Sequence, residues 1–228
     1  MINSIINGDA LTVLRQMDSE SIDFIITDPP YGIDYQSNRP RSKTPSAKMP
    51  KIANDKRPFI WWLYDAFRIL TDGGLLCFSR WDVQQVFIDA MKIAGFSVKS
   101  VIVWDRMVHG MGDLKSAFAP RYDVCIFAVK GSYAFPNSRP IDVIQCQRLD
   151  GSKLTHPNEK PVELMQKLID ATTKPDDLIL DPFAGSGTTL VAALQSGRRY
   201  IGVEISPQHY ERAQQRIYAA AFAGGTND

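Results

Sequence analysis

Two short polar motifs, each directly behind an apolar run, carry the residue types of a group-transfer site. Asp28-Pro29-Pro30-Tyr31 follows Ile22-Asp23-Phe24-Ile25-Ile26-Thr27, and Asp181-Pro182-Phe183-Ala184-Gly185-Ser186-Gly187-Thr188-Thr189 follows Leu178-Ile179-Leu180. The first motif suits an amino group on a flat ring. Such a nitrogen is a poor nucleophile because its lone pair is delocalised into the ring. A site that activates it must accept hydrogen bonds from its N–H groups and draw the nitrogen toward tetrahedral geometry. Asp28 supplies a carboxylate, while Pro29 and Pro30 lack an N–H and present stiff carbonyls. Tyr31 adds a ring on which an extruded base can stack, worth ~1–3 kcal/mol per base. The plain alternative is a rigid turn after a strand.

The second motif is a glycine-rich turn between a strand and a helix, where backbone N–H groups meet an anion or nucleotide. A pyrophosphate-binding fingerprint needs a third glycine, and Leu190 stands in its place, so a dinucleotide is disfavoured. Glu204 ends the next strand-like run, Tyr200-Ile201-Gly202-Val203-Glu204, where an acid accepts from ribose hydroxyls. Together these point to a nucleoside cofactor rather than a plain loop. Lys160, in His156-Pro157-Asn158-Glu159-Lys160-Pro161, precedes a helix expected to begin at Pro161. A cation there opposes the helix dipole by ~0.3–1 kcal/mol, which an anion would offset. That anion is either a cofactor carboxylate or a neighbouring side chain, Glu159 or Glu163.

These motifs need a scaffold that brings strand ends together. Strand-like runs are expected at Ser4–Asn7, Ile22–Thr27, Leu75–Ser79, Val98–Trp104, Tyr122–Val129, Leu178–Leu180 and Tyr200–Glu204. Helical periodicity covers Ala10–Met17, Pro58–Leu70, Asp82–Ala94, Pro161–Ala171, Thr188–Gln195 and Pro207–Ala220. The last is capped by Ser206 and opened by Pro207. Gly73-Gly74 and Gly95 read as helix-to-strand turns. The alternation predicts an α/β fold whose sheet carries helices on its faces, and ligands in such sheets bind outside the carboxyl ends of the strands. Residues 36–57 form a long aperiodic loop, 105–121 and 130–157 read as insertions, and the Gly224-Gly225 tail frays.

The chain has 228 residues, 44% of them hydrophobic and 22% charged, which fits one domain, 1–228, that buries ~70–75% of its unfolded surface. No apolar run approaches the ~18 residues of a membrane span, and the start lacks a basic signal-peptide region. A cytoplasmic protein is expected. Cys77, Cys125 and Cys146 are widely spaced and read as small buried hydrophobes, and His109, His156 and His209 show no metal spacing. The net charge of +1 hides an uneven distribution. Residues 36–57 hold Arg39, Arg41, Lys43, Lys48, Lys51, Lys56 and Arg57 against Asp55 alone, directly after an acidic segment. A basic stripe is the footprint of a polyanion, though a solvated loop has the same composition.

These residues resemble the S-adenosylmethionine-dependent DNA amino-methyltransferases that act on adenine N6 or cytosine N4. The motif order, Asp28-Pro29-Pro30-Tyr31 first and Asp181 to Gly187 last, is that of the circularly permuted beta class. The resemblance runs from Asn7-Gly8-Asp9 to about Ile217 and is weak in 36–57 and 105–155, where target recognition is expected. It implies a Rossmann-like seven-stranded mixed sheet between helices, with S-adenosylmethionine as cofactor and no metal. By resemblance Asp9 and Ala10 meet the cofactor adenine, Glu204 and Ile205 its ribose, and Asp28, Lys160, Asp181, Phe183, Ala184, Gly185, Ser186, Gly187 and Thr188 its methionine side. Asp28, Pro29, Pro30 and Tyr31 are the implied catalytic residues, and Asp in the first place favours adenine over cytosine. The base must be flipped out of double-stranded DNA. Arg39, Arg41, Lys43, Lys48, Arg106, His109, Lys115 and Arg121 are the expected DNA contacts. So few candidates imply a short target or a homodimer, and a cognate restriction endonuclease is a further expected partner. The rivals are an N4-cytosine enzyme, an RNA amino-methyltransferase, a non-catalytic relative and a nicotinamide oxidoreductase. Asn in place of Asp28 would mark glutamine-modifying relatives.

Overall fold

The computed structural model describes residues 2–32, 56–110, 114–149 and 159–223. Arg39, Arg41, Lys43, Lys48 and the segment His156–Asn158 lie outside the described residues. The chain runs β1 (Ser4–Asn7), α1 (Ala10–Gln16), β2 (Ile22–Thr27), α2 (Leu63–Ile69), β3 (Leu70–Ser79), α3 (Gln84–Ala94), β4 (Ser97–Asp105), β5 (Tyr122–Val129), β6 (Val143–Gln145), α4 (Val162–Thr172), β7 (Leu178–Asp181), α5 (Thr188–Gln195), β8 (Arg199–Glu204) and α6 (Pro207–Ala223).

One eight-stranded sheet has the order β1-β8-β7-β2-β3-β5-β4-β6. The first five strands are mutually parallel, while β5 runs antiparallel to β3 and β4, so the sheet is mixed as expected. The expected count of seven is corrected by β6, three residues that pair parallel with β4 at Val103↔Val143 and Asp105↔Gln145. Its Val-Ile-Gln is too short and too exposed to leave a periodic signal.

Strand alternation divides the core into two layers. Phe24, Ile26, Leu76, Phe78, Cys125, Phe127 and Ile179 face α4, α5 and α6. Ile25, Leu75, Cys77, Ile126 and Leu180 face α1, α2 and α3. α5 is buried at every position from Thr188 to Ala193, so it is the central helix of its layer, between α4 and α6. Gly73-Gly74 is a second correction: β3 begins at Leu70, directly behind α2, and both glycines lie within it. A Cβ at Gly74 would come within 2.3 Å of the Phe24 ring, so the glycine marks close approach of strand to ring rather than a turn. Gly95 does end α3, in the left-handed conformation at φ 111°. No helix among the described residues is long and apolar enough to cross a membrane.

Candidate active site

The connections set the site. From β7 the chain crosses by α5 on one face to β8, and from β2 it crosses by α2 on the other face to β3. The adjacent strands β7 and β2 therefore flank a switch point, where an open α/β sheet leaves a crevice outside its carboxyl ends. Among four neighbouring parallel strands, β8 and β7 end on Glu204 and Asp181, while Asp28 follows β2 by one residue and Asp9 follows β1 by two. Residues 154 apart in sequence meet here, with the Thr27 hydroxyl donating to Asp181 Oδ1 at 2.7 Å.

Asp28 is half-buried, its side chain 26% exposed, and it is held from two sides. The Tyr31 hydroxyl donates to Oδ1 and the Lys160 ammonium pairs with Oδ2. Lys160 thus meets neither Glu159 nor Glu163. Glu163 pairs with Lys167, and Glu159 pairs with Arg216 at 2.9 Å. Lys160 also sits 4.3 Å from the Phe78 ring centroid, a cation–π arrangement that fixes the ammonium beneath the crevice. Pro161 is the N-cap residue of α4 rather than its first helical residue. Tyr31 meets the Phe87 ring edge-on at 6.5 Å. The Pro30 carbonyl accepts from Phe59 N–H at 3.0 Å, so it is committed to structure. Among the described residues, no hydrogen bond is made to the Pro29 carbonyl. Of the two carbonyls that lacked a competing donor in the sequence, Pro29 is the one left for a ligand.

Asp181 is 3% exposed. Burial lifts its carboxyl pKa from 3.8 to about 6, against the hydrogen bonds from Thr189, Thr27 and the Phe183 N–H that lower it. Phe183 is wedged edge-on between Phe59 at 5.9 Å and Trp62 at 5.5 Å, and the Trp62 indole N–H donates to Phe59 O. The glycine turn is stitched to β8. Ala184 N–H donates to Val203 O, and Gly185 N–H donates to Glu204 Oε2 at 2.8 Å. Glu204 also accepts from Ser206 N–H at 2.8 Å, and burial raises its pKa. With about four lone-pair sites, the Glu204 carboxylate keeps acceptor capacity for a ligand hydroxyl beside these bonds and the one from Ile205 N–H. Asp9 caps α1 by accepting from Thr12 N–H at 3.0 Å, while Ala10 is buried behind it and Ile205 is exposed at the rim.

Arg216 of α6 is a site residue that the sequence did not reveal. Its guanidinium donates to Ser186 O at 2.8 Å, Ser186 Oγ at 2.7 Å and Thr188 Oγ1 at 3.2 Å, and pairs with buried Glu159. It bolts the glycine turn to the segment that carries Lys160. The only advance signal was an arginine on the inward side of the last helix. The cysteines are free and buried, and burial pushes the thiols of Cys77 and Cys125 up, so neither is a nucleophile here.

Four of the expected DNA contacts, Arg106, His109, Lys115 and Arg121, lie among the described residues, on or beside the loop between β4 and β5. Arg121 forks onto Asp105 at 2.7 and 2.9 Å, and Arg106 donates to Pro120 O and Arg121 O. Both brace the loop between β4 and β5. His109 lies exposed on that loop, with its ring nitrogen 3.2 Å from Gly110 O, and Lys115 is exposed on the same loop.

A family model described as DNA methylase matches residues 22–215. The chain belongs to the DNA methylase family. The methylase is 37% identical to YubD of Escherichia coli (strain K12) over 232 residues, 98% of this chain and 95% of YubD. It is 28% identical to the DNA adenine methyltransferase YhdJ of the same organism, over 96% of this chain and 83% of YhdJ. Two solved structures share the fold. M1.HpyAVI in complex with SAM has a TM-score of 0.72 at 23% identity, covering 94% of the methylase and 98% of that chain. The cytosine-N4-specific PvuII DNA methyltransferase has a TM-score of 0.71 at 19% identity, covering 93% and 85%.

Proposed function

We propose that this methylase transfers a methyl group from S-adenosylmethionine to N6 of an adenine flipped out of double-stranded DNA, within a short target sequence. The observation that carries it is the half-buried Asp28 carboxylate at the switch point, one strand from Asp181 and the glycine turn. The similarity to YhdJ, named for adenine, and an Asp heading the motif both support adenine.

The residues present fit the cofactor's chemistry. It offers ribose hydroxyls, an amino group on its adenine, an ammonium and a positively charged sulfur. The row Asp9, Glu204, Asp181 and Asp28 meets these with acceptors and negative charge. Asp9 and Ala10 would hold the adenine end and Glu204 and Ile205 the ribose. Phe183, Ala184, Gly185, Ser186, Gly187 and Thr188 would wall the methionine end, and Lys160, paired with Asp28, would supply the cation for the cofactor carboxylate. When bound, the cofactor supplies a methyl group activated by its cationic sulfur.

Asp28 and the Pro29 carbonyl accept the two N–H groups of the target amine and localise its lone pair toward that methyl. An incoming N–H displaces Tyr31 or Lys160 from one Asp28 oxygen. Tyr31, freed from that bond, offers its ring face to the base. After transfer the nitrogen carries one proton too many and is strongly acidic. Asp28 accepts that proton at the oxygen already facing it and passes it to water, with no covalent enzyme intermediate.

The test is transfer of labelled methyl from S-adenosylmethionine to unmethylated duplex DNA, followed by mass analysis of the nucleosides and mapping of the modified positions. N6-methyladenine that disappears in Asp28→Ala, with cofactor binding kept, is the expected result. N4-methylcytosine would overturn the base assignment, and transfer surviving in Asp28→Ala would remove Asp28 from the chemistry.

A further inference from the structure

The loop between β4 and β5 presents an oddity that methyl transfer does not explain. Phe118 is 101% exposed and Leu114 is 79% exposed, on a loop whose base is stiff. Arg121 forks onto Asp105, which also accepts from Met107 N–H at 2.9 Å, and Gly110 N–H donates to Pro120 O at 2.7 Å. Arg106 closes the stem from inside, through Pro120 O and Arg121 O on one side and Asp123 at 3.6 Å on the other. Both side chains stand clear of the body, beyond that braced stem.

The register tells where they are held. Thr27, just before Asp28, pairs with Cys77 of β3, and Ser79 at the end of β3 pairs with Val124 of β5. β5 begins at Tyr122, opposite Asp105, so the loop springs from the carboxyl edge that carries Asp28. β5 and β4 stand two and three strands from β2, a lateral distance of about 10–15 Å at the usual strand spacing. That is close to the ~12 Å width of the DNA major groove.

We propose that Phe118 is a wedge that enters the base stack of duplex DNA and fills the gap left by the extruded target base. The inference rests on the base-flipping reading above and names the residue that drives it. A flipped base leaves a flat apolar hole, and an exposed aromatic ring on a braced stem is the side chain suited to replace its stacking. Leu114, four residues before it, lies against the neighbouring step. The stem arginines, engaged with Asp105, Asp123 and carbonyls, set the wedge's angle rather than reading bases. Phe118 is therefore a positioning residue, which acts on the equilibrium between stacked and extruded base.

The experiment uses the full chain and a short duplex carrying the mapped target, in two forms. One is fully paired. In the other, the base opposite the target is removed, so the target is already unpaired. For Phe118→Ala, kcat/KM on the paired duplex falls by about tenfold to a hundredfold, the scale set by the cost of unstacking a step. On the pre-opened duplex it stays within about threefold of the wild type, because that cost no longer arises. Phe118→Trp keeps activity on both. A fluorescent 2-aminopurine at the target brightens with the wild type and much less with Phe118→Ala, while cofactor binding is unchanged. Equal losses on both duplexes, or no loss on either, would overturn the wedge. So would a loss that accompanies a changed sedimentation coefficient without DNA, since Phe118 would then be packing on a second copy. A wild type inactive on both duplexes would remove the flipping reading and the wedge with it.

Discussion

Asp181 couples the site to stability. Its carboxyl is buried, accepts from Thr27, Thr189 and the Phe183 N–H, and still has its pKa raised from 3.8 to about 6 by burial. A pKa that is higher in the folded state favours folding of the protonated form. That contribution is complete below about pH 3.8 and is lost as pH climbs through about 6. Above pH 6 the protein folds around a buried negative charge, at a cost of up to about 3 kcal/mol at ~1.4 kcal/mol per pH unit. Asn in that position keeps an acceptor for Thr27 and Phe183 without the charge. Asp181→Asn is therefore expected to be more stable than the wild type at pH 8, by an amount that shrinks toward pH 4, in urea unfolding at both pH values. Its cofactor affinity is expected to fall, because a negative charge that would offset the cationic sulfur is gone. An equal stability difference at both pH values would show that ionisation of Asp181 is not what limits stability. At this scale the two motifs were legible from sequence because their chemistry demands particular residue types in a row. Arg216, Thr27, Phe59 and Trp62 were not. Each acts through a partner 30 or more residues away in sequence, or through ring contacts that only folding creates.

At the level of elements, the joint between α5 and α6 decides whether the glycine turn keeps its shape. Gly187 caps α5 at φ 80°, and a Cβ there would stand 2.9 Å from the Ala213 Cβ on α6. The left-handed conformation costs an L-residue about 1–2 kcal/mol and overpacking about 1–3 more. Gly197 is a built-in control, with φ 69° but nothing within 4 Å of its Cβ position. Gly187→Ala is expected to lose roughly 2–5 kcal/mol in denaturant unfolding and Gly197→Ala roughly 1–2, since only the first adds a collision to the strain. Only Gly187→Ala should also weaken cofactor binding in calorimetry, because α6 carries Arg216, which donates to Ser186 and Thr188. Similar losses from both variants would mean that α6 yields to the extra methyl. Helix α5 was readable to the residue, from Thr188 to Gln195, because strand, glycine turn and apolar helix follow one another without a break. The helical periodicity over Pro58–Leu70 starts five residues before α2 does. The chain at 58–62 instead lines the Asp28 motif, with Tyr31 bridged to Pro58 and Phe59 bonded to Pro30. A local pattern of apolar residues does not reveal that a segment's partner is another loop.

Over the whole molecule, 26 basic and 25 acidic residues nearly cancel, so affinity for a polyanion depends on where charge is left unspent. The carboxyl edge is acidic, with Asp9, Glu204, Asp181 and Asp28 in a row, which suits a cationic cofactor and repels phosphate. Arg106 and Arg121 are committed to Asp123, Asp105 and backbone carbonyls, and Arg216 to Glu159 and the glycine turn. The basic run of residues 36–57, which follows the Asp28 motif and includes Arg39, Arg41, Lys43 and Lys48, is the proposed phosphate-binding segment. Each phosphate neutralised releases counterions and adds about 0.9 to the slope of log affinity against log salt. Replacing those four residues together by Gln is expected to lower that slope by about 3–4 and to weaken binding at every sequence alike. Cofactor affinity should not move, because the cofactor's expected contacts lie on the strand ends. Titrations of a labelled duplex at several salt concentrations, with and without the mapped target, measure both terms. An unchanged slope would mean that the DNA backbone is gripped elsewhere. A slope change confined to the target duplex would mean that these cations read bases rather than phosphates.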